Sequence, residues 1–264
     1  MLLHPTLRTL PRRARRLMLT VALVGSVLGG CSGDDGSTER ADESTTTSSE
    51  AGSSGTSTTE VATTVTLDPE LEASMKEAME RAEAASLTFD DFPSGWEHLP
   101  PAEGDAGPME TCTEVDLDTH LLGLYRSDGF STSVDPGTLQ ASSSVTVMDS
   151  VDSATKLMED IGTDRFLSCV NELFNGSTDA YERTGSLTRN ETAPSLGDEA
   201  VAMSGEFVIS PLDDTPDHPV SMAVVAFRTG DMVTVLNSTA VDRNLDETLM
   251  RTLLDLLTQR AAQA

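Results

Sequence analysis

Three histidines outside the leader, His98, His120 and His218, and many serines are the side chains whose types could carry acyl transfer. In that chemistry a hydroxyl attacks, an imidazole takes its proton and a carboxylate orients the ring. Spacing singles no serine out, because no G-x-S-x-G elbow is present. A hydrolase on this chain would need a triad assembled in space from one serine and one of the three histidines. Metal chemistry fares no better: no two histidines stand at i, i+4, and H-E-x-x-H is absent. The densest set of ligand types is Asp213, Asp214, Asp217 and His218, whose oxygens could take calcium but whose spacing is not that of an EF-hand. We therefore expect no catalytic residue, no bound metal and no cofactor.

Three cysteines remain, Cys31, Cys112 and Cys169, and the first is part of an address. Arg8, Arg12, Arg13, Arg15 and Arg16 precede a mostly apolar run from Leu17 to Leu28, the layout of a signal peptide over residues 1–30. Twelve residues are too few to span a bilayer as a helix, which takes about 20. The run ends at Leu28-Gly29-Gly30-Cys31, which resembles the bacterial lipobox. That resemblance implies a diacylglycerol on Cys31 and a protein held on the outer face of the cytoplasmic membrane. With Cys31 lipidated, Cys112 and Cys169 form an even pair in an exported chain, and a disulfide between them is the expected state.

Charge bears on partners. The chain holds 17 basic and 44 acidic residues, a net charge of −27, and loss of the signal would remove five arginines and no acid. Such a field repels phosphate backbones and anionic headgroups, which argues against nucleic-acid binding and leaves the lipid to hold the membrane. Behind Cys31, residues 31–66 form a tether: of the 35 residues from Ser32 to Thr66, 18 are Ser or Thr, and none is aromatic, Leu, Ile, Met or Phe. A segment so poor in apolar groups is not expected to offset its chain entropy by folding.

The elements that must position any site begin at Asp68-Pro69-Glu70, a helix start with a capping side chain and a proline in the first turn. This predicts a helix within 67–86, with Leu71, Met75, Ala78, Met79 and Ala82 at helical spacing. All ten aromatic residues lie between Phe89 and Phe227, so the core belongs to residues 87–264, with Trp96 inside it. Strict alternation marks Leu139 to Val147 as a half-buried strand, and further strands are expected at 200–209, 220–227 and 232–236. Arg228-Thr229-Gly230-Asp231 is a hairpin turn that would set Arg228 against Asp231. Helices are predicted at 152–160, at 164–174 with Phe166, Cys169, Val170, Leu173 and Phe174 on one face, and from Leu245 to the C-terminal end. Strands around a hairpin with helices between and after predict an α+β fold: one domain with a largely antiparallel twisted sheet packed by helices.

Several of these features in order resemble a known family: the lipobox, the Ser/Thr tether, Phe92-Pro93-Ser94-Gly95-Trp96, Phe166 three positions before Cys169, Leu196-Gly197-Asp198-Glu199-Ala200, the Val225 to Leu236 hairpin and a Leu-rich closing helix. Together they resemble actinobacterial envelope lipoproteins of the PknH-like extracellular sensor-domain type, over roughly Leu87 to Arg260. The resemblance implies a twisted antiparallel sheet with a ligand cleft and no catalytic residues to carry over. The expected function is a non-catalytic, membrane-anchored domain that binds a small molecule, a cell-wall fragment or an envelope protein. The alternatives are an envelope hydrolase or a carrier of lipid or other hydrophobic molecules.

Overall fold

The computed structural model describes residues 68–99, 107–191, 193–213 and 215–264, so Cys31, the signal sequence and the tether lie outside it. Helix α1 (Pro69–Ala84) starts where its caps predict, with Asp68 accepting the Glu70 N–H at 3.0 Å and Glu70 and Glu72 in the first turn. Its buried residues are alanines, Ala78 and Ala82, and the strand beneath supplies the reason. A Cβ on Gly123 of β2 (Leu121–Arg126) would stand 2.9 Å from the Ala78 carbonyl carbon and the Met79 nitrogen. Helix and strand backbones meet there, and neither has room for a larger side chain.

Among the described residues one antiparallel sheet holds nine strands: β1 (Glu97–Leu99), β2, β3 (Gly129–Val134), β4 (Gly137–Met148), β5 (Gly176–Ser177), β6 (Tyr181–Arg189), β7 (Glu199–Pro211), β8 (His218–Thr229) and β9 (Met232–Val241). The order is β1-β3-β4-β9-β8-β7-β6-β5, with β2 also on β4. β3 and β2 share one flank of β4, from Gly137 to Ala141 and from Ser144 to Met148. Ser127 bridges the gap between them. Its N–H donates to the Ser143 carbonyl and its hydroxyl accepts from the Ser143 N–H, each at 2.9 Å. The side chain thus stands in for the missing ladder carbonyl.

Alternation along the strands gives each face of the sheet its own core. On the first face Leu139, Ala141, Val145, Val147, Val225, Phe227, Leu236 and Ala240 lie under α1 and under α6 (Glu247–Ala261), which buries Leu253, Leu254 and Leu257. On the second, Met203, Phe207, Val220, Ala226 and Val233 lie under α4 (Val151–Ile161) and α5 (Asp164–Phe174). Each of these helices has a side-chain N-cap: Ser150 to the Ser153 N–H, Thr163 to Phe166, and Asp246 to Thr248 and Leu249. Because Asp246 is the cap, α6 begins at Glu247 and not at Leu245. Trp96 is 8% exposed, a core residue as expected. The architecture is α+β, a single domain with an antiparallel sheet and packed helices, as the sequence predicts.

One local expectation is corrected. Gly230, at φ 61°, makes the turn between β8 and β9, but Arg228 does not face Asp231. Arg228 donates from Nε to Glu199 at 2.6 Å and from Nη1 to Asp198 at 2.9 Å, while Asp231 takes both terminal nitrogens of Arg81 on α1. The antiparallel partner of Arg228 is Glu199, so long-range pairing outweighs proximity along the chain.

Candidate ligand-binding face

β4 lies within the sheet, yet its second face carries no aliphatic side chain before Met148: it reads Thr138, Gln140, Ser142, Ser144 and Thr146. The register sets Ser131 of β3 opposite Gln140, Thr239 of β9 opposite Gln140 on the other side, and Asn237 opposite Ser142. Three neighbouring strands therefore present a contiguous patch of hydroxyls and amides about 10 Å wide, given strand spacings near 4.8 Å. Ser131, Thr138, Gln140, Thr146 and Thr239 are buried, whereas Ser142, Ser144 and Asn237 are half-buried. Among the described residues these last three side chains have no hydrogen-bond partner, and their polar atoms are not sealed from solvent. Half-buried polar groups left unpaired in this way are the groups a ligand can satisfy.

The elements beside this floor are pinned. α2 (Pro108–Cys112) is joined to α5 through the Cys112–Cys169 disulfide, the expected pairing, with Cα atoms 5.6 Å apart. Glu110 of α2 pairs with Arg126, whose strand neighbour is Ser144 of the floor. Arg165 of α5 donates to the Cys112 carbonyl at 2.7 Å and to Asp160 at 2.6 Å, and its Nε lies 3.0 Å from Glu114. Burial acts to raise the Asp160 carboxyl, but Arg165, the Glu114 N–H and the Thr113 hydroxyl outweigh it and hold it below the usual carboxylate range.

Among the described residues the three histidines are held separately. Each holds its own aspartate through Nδ1: His98 with Asp128 at 3.1 Å, His120 with Asp149 at 2.8 Å and His218 with Asp242 at 2.9 Å. These pairs sit on β1, at the end of α3 (Leu117–His120) and at the start of β8. The serine that bonds a histidine is Ser153, 3.5 Å from Nδ1 of His120, the nitrogen already given to Asp149. A base must present its other nitrogen to the nucleophile. Ser153 also stands three residues before Lys156, an S-x-x-K spacing missed in the sequence. In the structure Lys156 is exposed while Ser153 is buried and bonded to Ser150 at 2.9 Å. The His120 hydrogen bond, then Ser153 and Ser150, keep the Asp149 carboxyl low against a small opposing effect of burial.

In the acidic cluster, His218 is taken by Asp242, Asp213 bonds Thr215, and Asp214 lies outside the described residues. Among the described residues no group of three His, Cys, Asp or Glu is arranged to hold a metal ion, and no helix is long and apolar enough to cross a membrane. The polar floor is the part the sequence reading missed. Its signal is Asn237 and Thr239 following the apolar run from Met232 to Leu236, which places polar groups inside the sheet.

No protein-family model matches the sequence, and no curated protein matches it either. Among solved structures the chain is similar to the extracellular domain of PknH from Mycobacterium tuberculosis, at 11% identity over 71% of this chain and 97% of that one, with a TM-score of 0.41. It is also similar to LpqN, involved in cell envelope biogenesis of Mycobacterium tuberculosis, at 16% identity over 63% of this chain and 77% of that one, with a TM-score of 0.28. The likeness is distant and structural, not one of sequence family. Scores this low leave the functional reading to the chain's own geometry.

Proposed function

We propose that this chain is a lipid-anchored, extracytoplasmic, non-catalytic domain that binds a neutral, hydroxyl-rich ligand, a glycan fragment of the cell wall, on the second face of its sheet. The observation that carries the reading is the in-register pair Ser142 and Asn237, half-buried beside Ser144 and without a hydrogen-bond partner among the described residues. An amide and hydroxyls both donate and accept, which matches sugar hydroxyls. β4 and β9 bring no charge to the floor and the Arg126–Glu110 pair at its border is neutral as a pair, which favours a neutral ligand over an ionic one. The arginine-led leader and Cys31 support the envelope location.

The test is amide chemical-shift mapping with chitotriose, an uncharged N-acetylglucosamine oligomer, as the wall fragment, and with maltotriose as a non-wall glycan. The wall fragment should shift residues 138–144 and 237–239, and N237A should abolish those shifts while leaving the spectrum folded. No shift at millimolar fragment, or shifts confined to β6 and β7, would overturn the reading. Anchoring has its own measurement: C31A should move the protein from the membrane fraction to the medium, and retention of the variant on the membrane would refute the lipid tether.

A further inference from the structure

One flank of α1 carries Leu71, Met75 and Met79 at i, i+4 and i+8, and each remains about two-fifths exposed: 42%, 38% and 40%. The three form a ridge about 12 Å long. Two of the three are methionines, whose unbranched, polarisable side chains repack against varied partners. Alongside runs β2, which pairs with β4 on one side and has no strand on its other side among the described residues. On the helical wheel Glu72 and Glu83 border the ridge, and the nearby lysine, Lys76, lies 3.9 Å from Glu80. Burial first, and then the charges of Glu83 and Asp128, push the Tyr125 hydroxyl upward, so acids from α1 and from the turn after β2 both act on this part of the surface.

We infer that this ridge docks a basic amphipathic helix of another envelope protein, its apolar face on Leu71, Met75 and Met79 and its lysines or arginines on Glu72 and Glu83. Charge complementarity selects this occupant. A second copy would set acid against acid, and an anionic bilayer would meet the same border. The chain's own tether does not match the border in charge, since Ser32 to Thr66 hold seven Asp or Glu and one Arg. The surface is separate from the polar floor, since α1 lies on the first face of the sheet.

The experiment uses the full chain and two synthetic Lys/Leu peptides of about 18 residues, five turns of helix. One places its leucines on a single helical face, and the other scrambles the same composition. By fluorescence anisotropy the amphipathic peptide should bind at least about tenfold tighter than the scrambled one, and M75E/M79E should remove that advantage with the thermal midpoint unchanged. E72K/E83K should weaken the same peptide, and raising salt from about 0.05 to 0.3 M should shrink its attraction. Equal binding of the two peptides, or full binding by M75E/M79E, would overturn the inference. A concentration-dependent dimer abolished by M75E/M79E would assign the ridge to a second copy and overturn it too. N237A serves as a control that leaves peptide binding intact whatever becomes of the glycan reading.

Discussion

β4 shows the first face of the sheet Leu139, Ala141, Val145 and Val147, and shows the second face Thr138, Gln140, Ser142, Ser144 and Thr146. The same twelve residues thus build a sealed core on one side and a polar floor on the other. On the first face the helices come so close that Ala78 lies over Gly123, and ion pairs fasten what packing begins: Arg81 to Asp231 and Arg260 to Asp91. On the second face α4 and α5 pack over the apolar residues, while α2 is held to α5 by a covalent bond and the Arg165 cluster. The lesson is that stability and recognition are separable by parity along one strand. A side chain's register number decides which of the two it serves.

The largest effect should come from the sealed side. Phe227 is fully buried there, and F227A should cost about 3–5 kcal/mol in urea unfolding, the range for truncating a buried aromatic. A cost below about 1 kcal/mol would mean that the first face is not the principal core. Next comes the strap of the second face. C112S/C169S releases a link across 57 positions and should cost about 4 kcal/mol in the chain-entropy model. The shift maps of the variant should show changes concentrated in α2 and α5, with the first face undisturbed; a uniform change would break the division between faces.

Acid titration sharpens the same division. Asp149 and Asp160, at opposite ends of α4, both have folded-state pKa values held below those of the unfolded chain. Their contribution is therefore present above the ordinary carboxylate range and is lost as pH falls through the lower folded values. R165Q removes the cation from Asp160 and should move the acid unfolding midpoint to higher pH, while neutral-pH stability falls by about 1 kcal/mol. An unmoved midpoint would show that the Glu114 N–H and Thr113 hydroxyl alone hold that carboxylate.

The helices of both faces and the apolar parity of β4 were legible in the sequence, and the polar floor was not. Caps and helical stripes mark α4, α5 and α6 within a few residues, and alternation from Leu139 to Val147 marks β4, because a face that packs under helices must be apolar every second residue. β1 to β3 and β6 leave weaker marks. They are short or lie toward the sheet's edges, and Tyr181 to Arg189 buries only Tyr181 and Leu187, so its alternation is faint. The polar row of β4 reads in sequence as a solvated side, since only the pairing with β9 brings Asn237 and Thr239 beside it. The partners of Arg228 were illegible for the same reason: Asp198 and Glu199 are about thirty positions away along the chain and adjacent only through the β7 to β8 ladder.

The smallest expected effect is the one that separates the faces most clearly. S142A and N237A remove polar atoms that bond nothing among the described residues, so each should change unfolding free energy by no more than about 0.5 kcal/mol. Truncating residues on the opposite parity of the same strands, in V145A and L236A, should cost about 1–2 and 2–5 kcal/mol, because both are fully buried. If N237A costs more than about 2 kcal/mol, the amide is holding structure, and the floor must be reassigned from recognition to packing. If it costs nothing and also leaves the wall-fragment shifts intact, the floor is merely tolerated polarity. Only stability kept with binding lost fits a face whose polar groups answer to a molecule outside the chain.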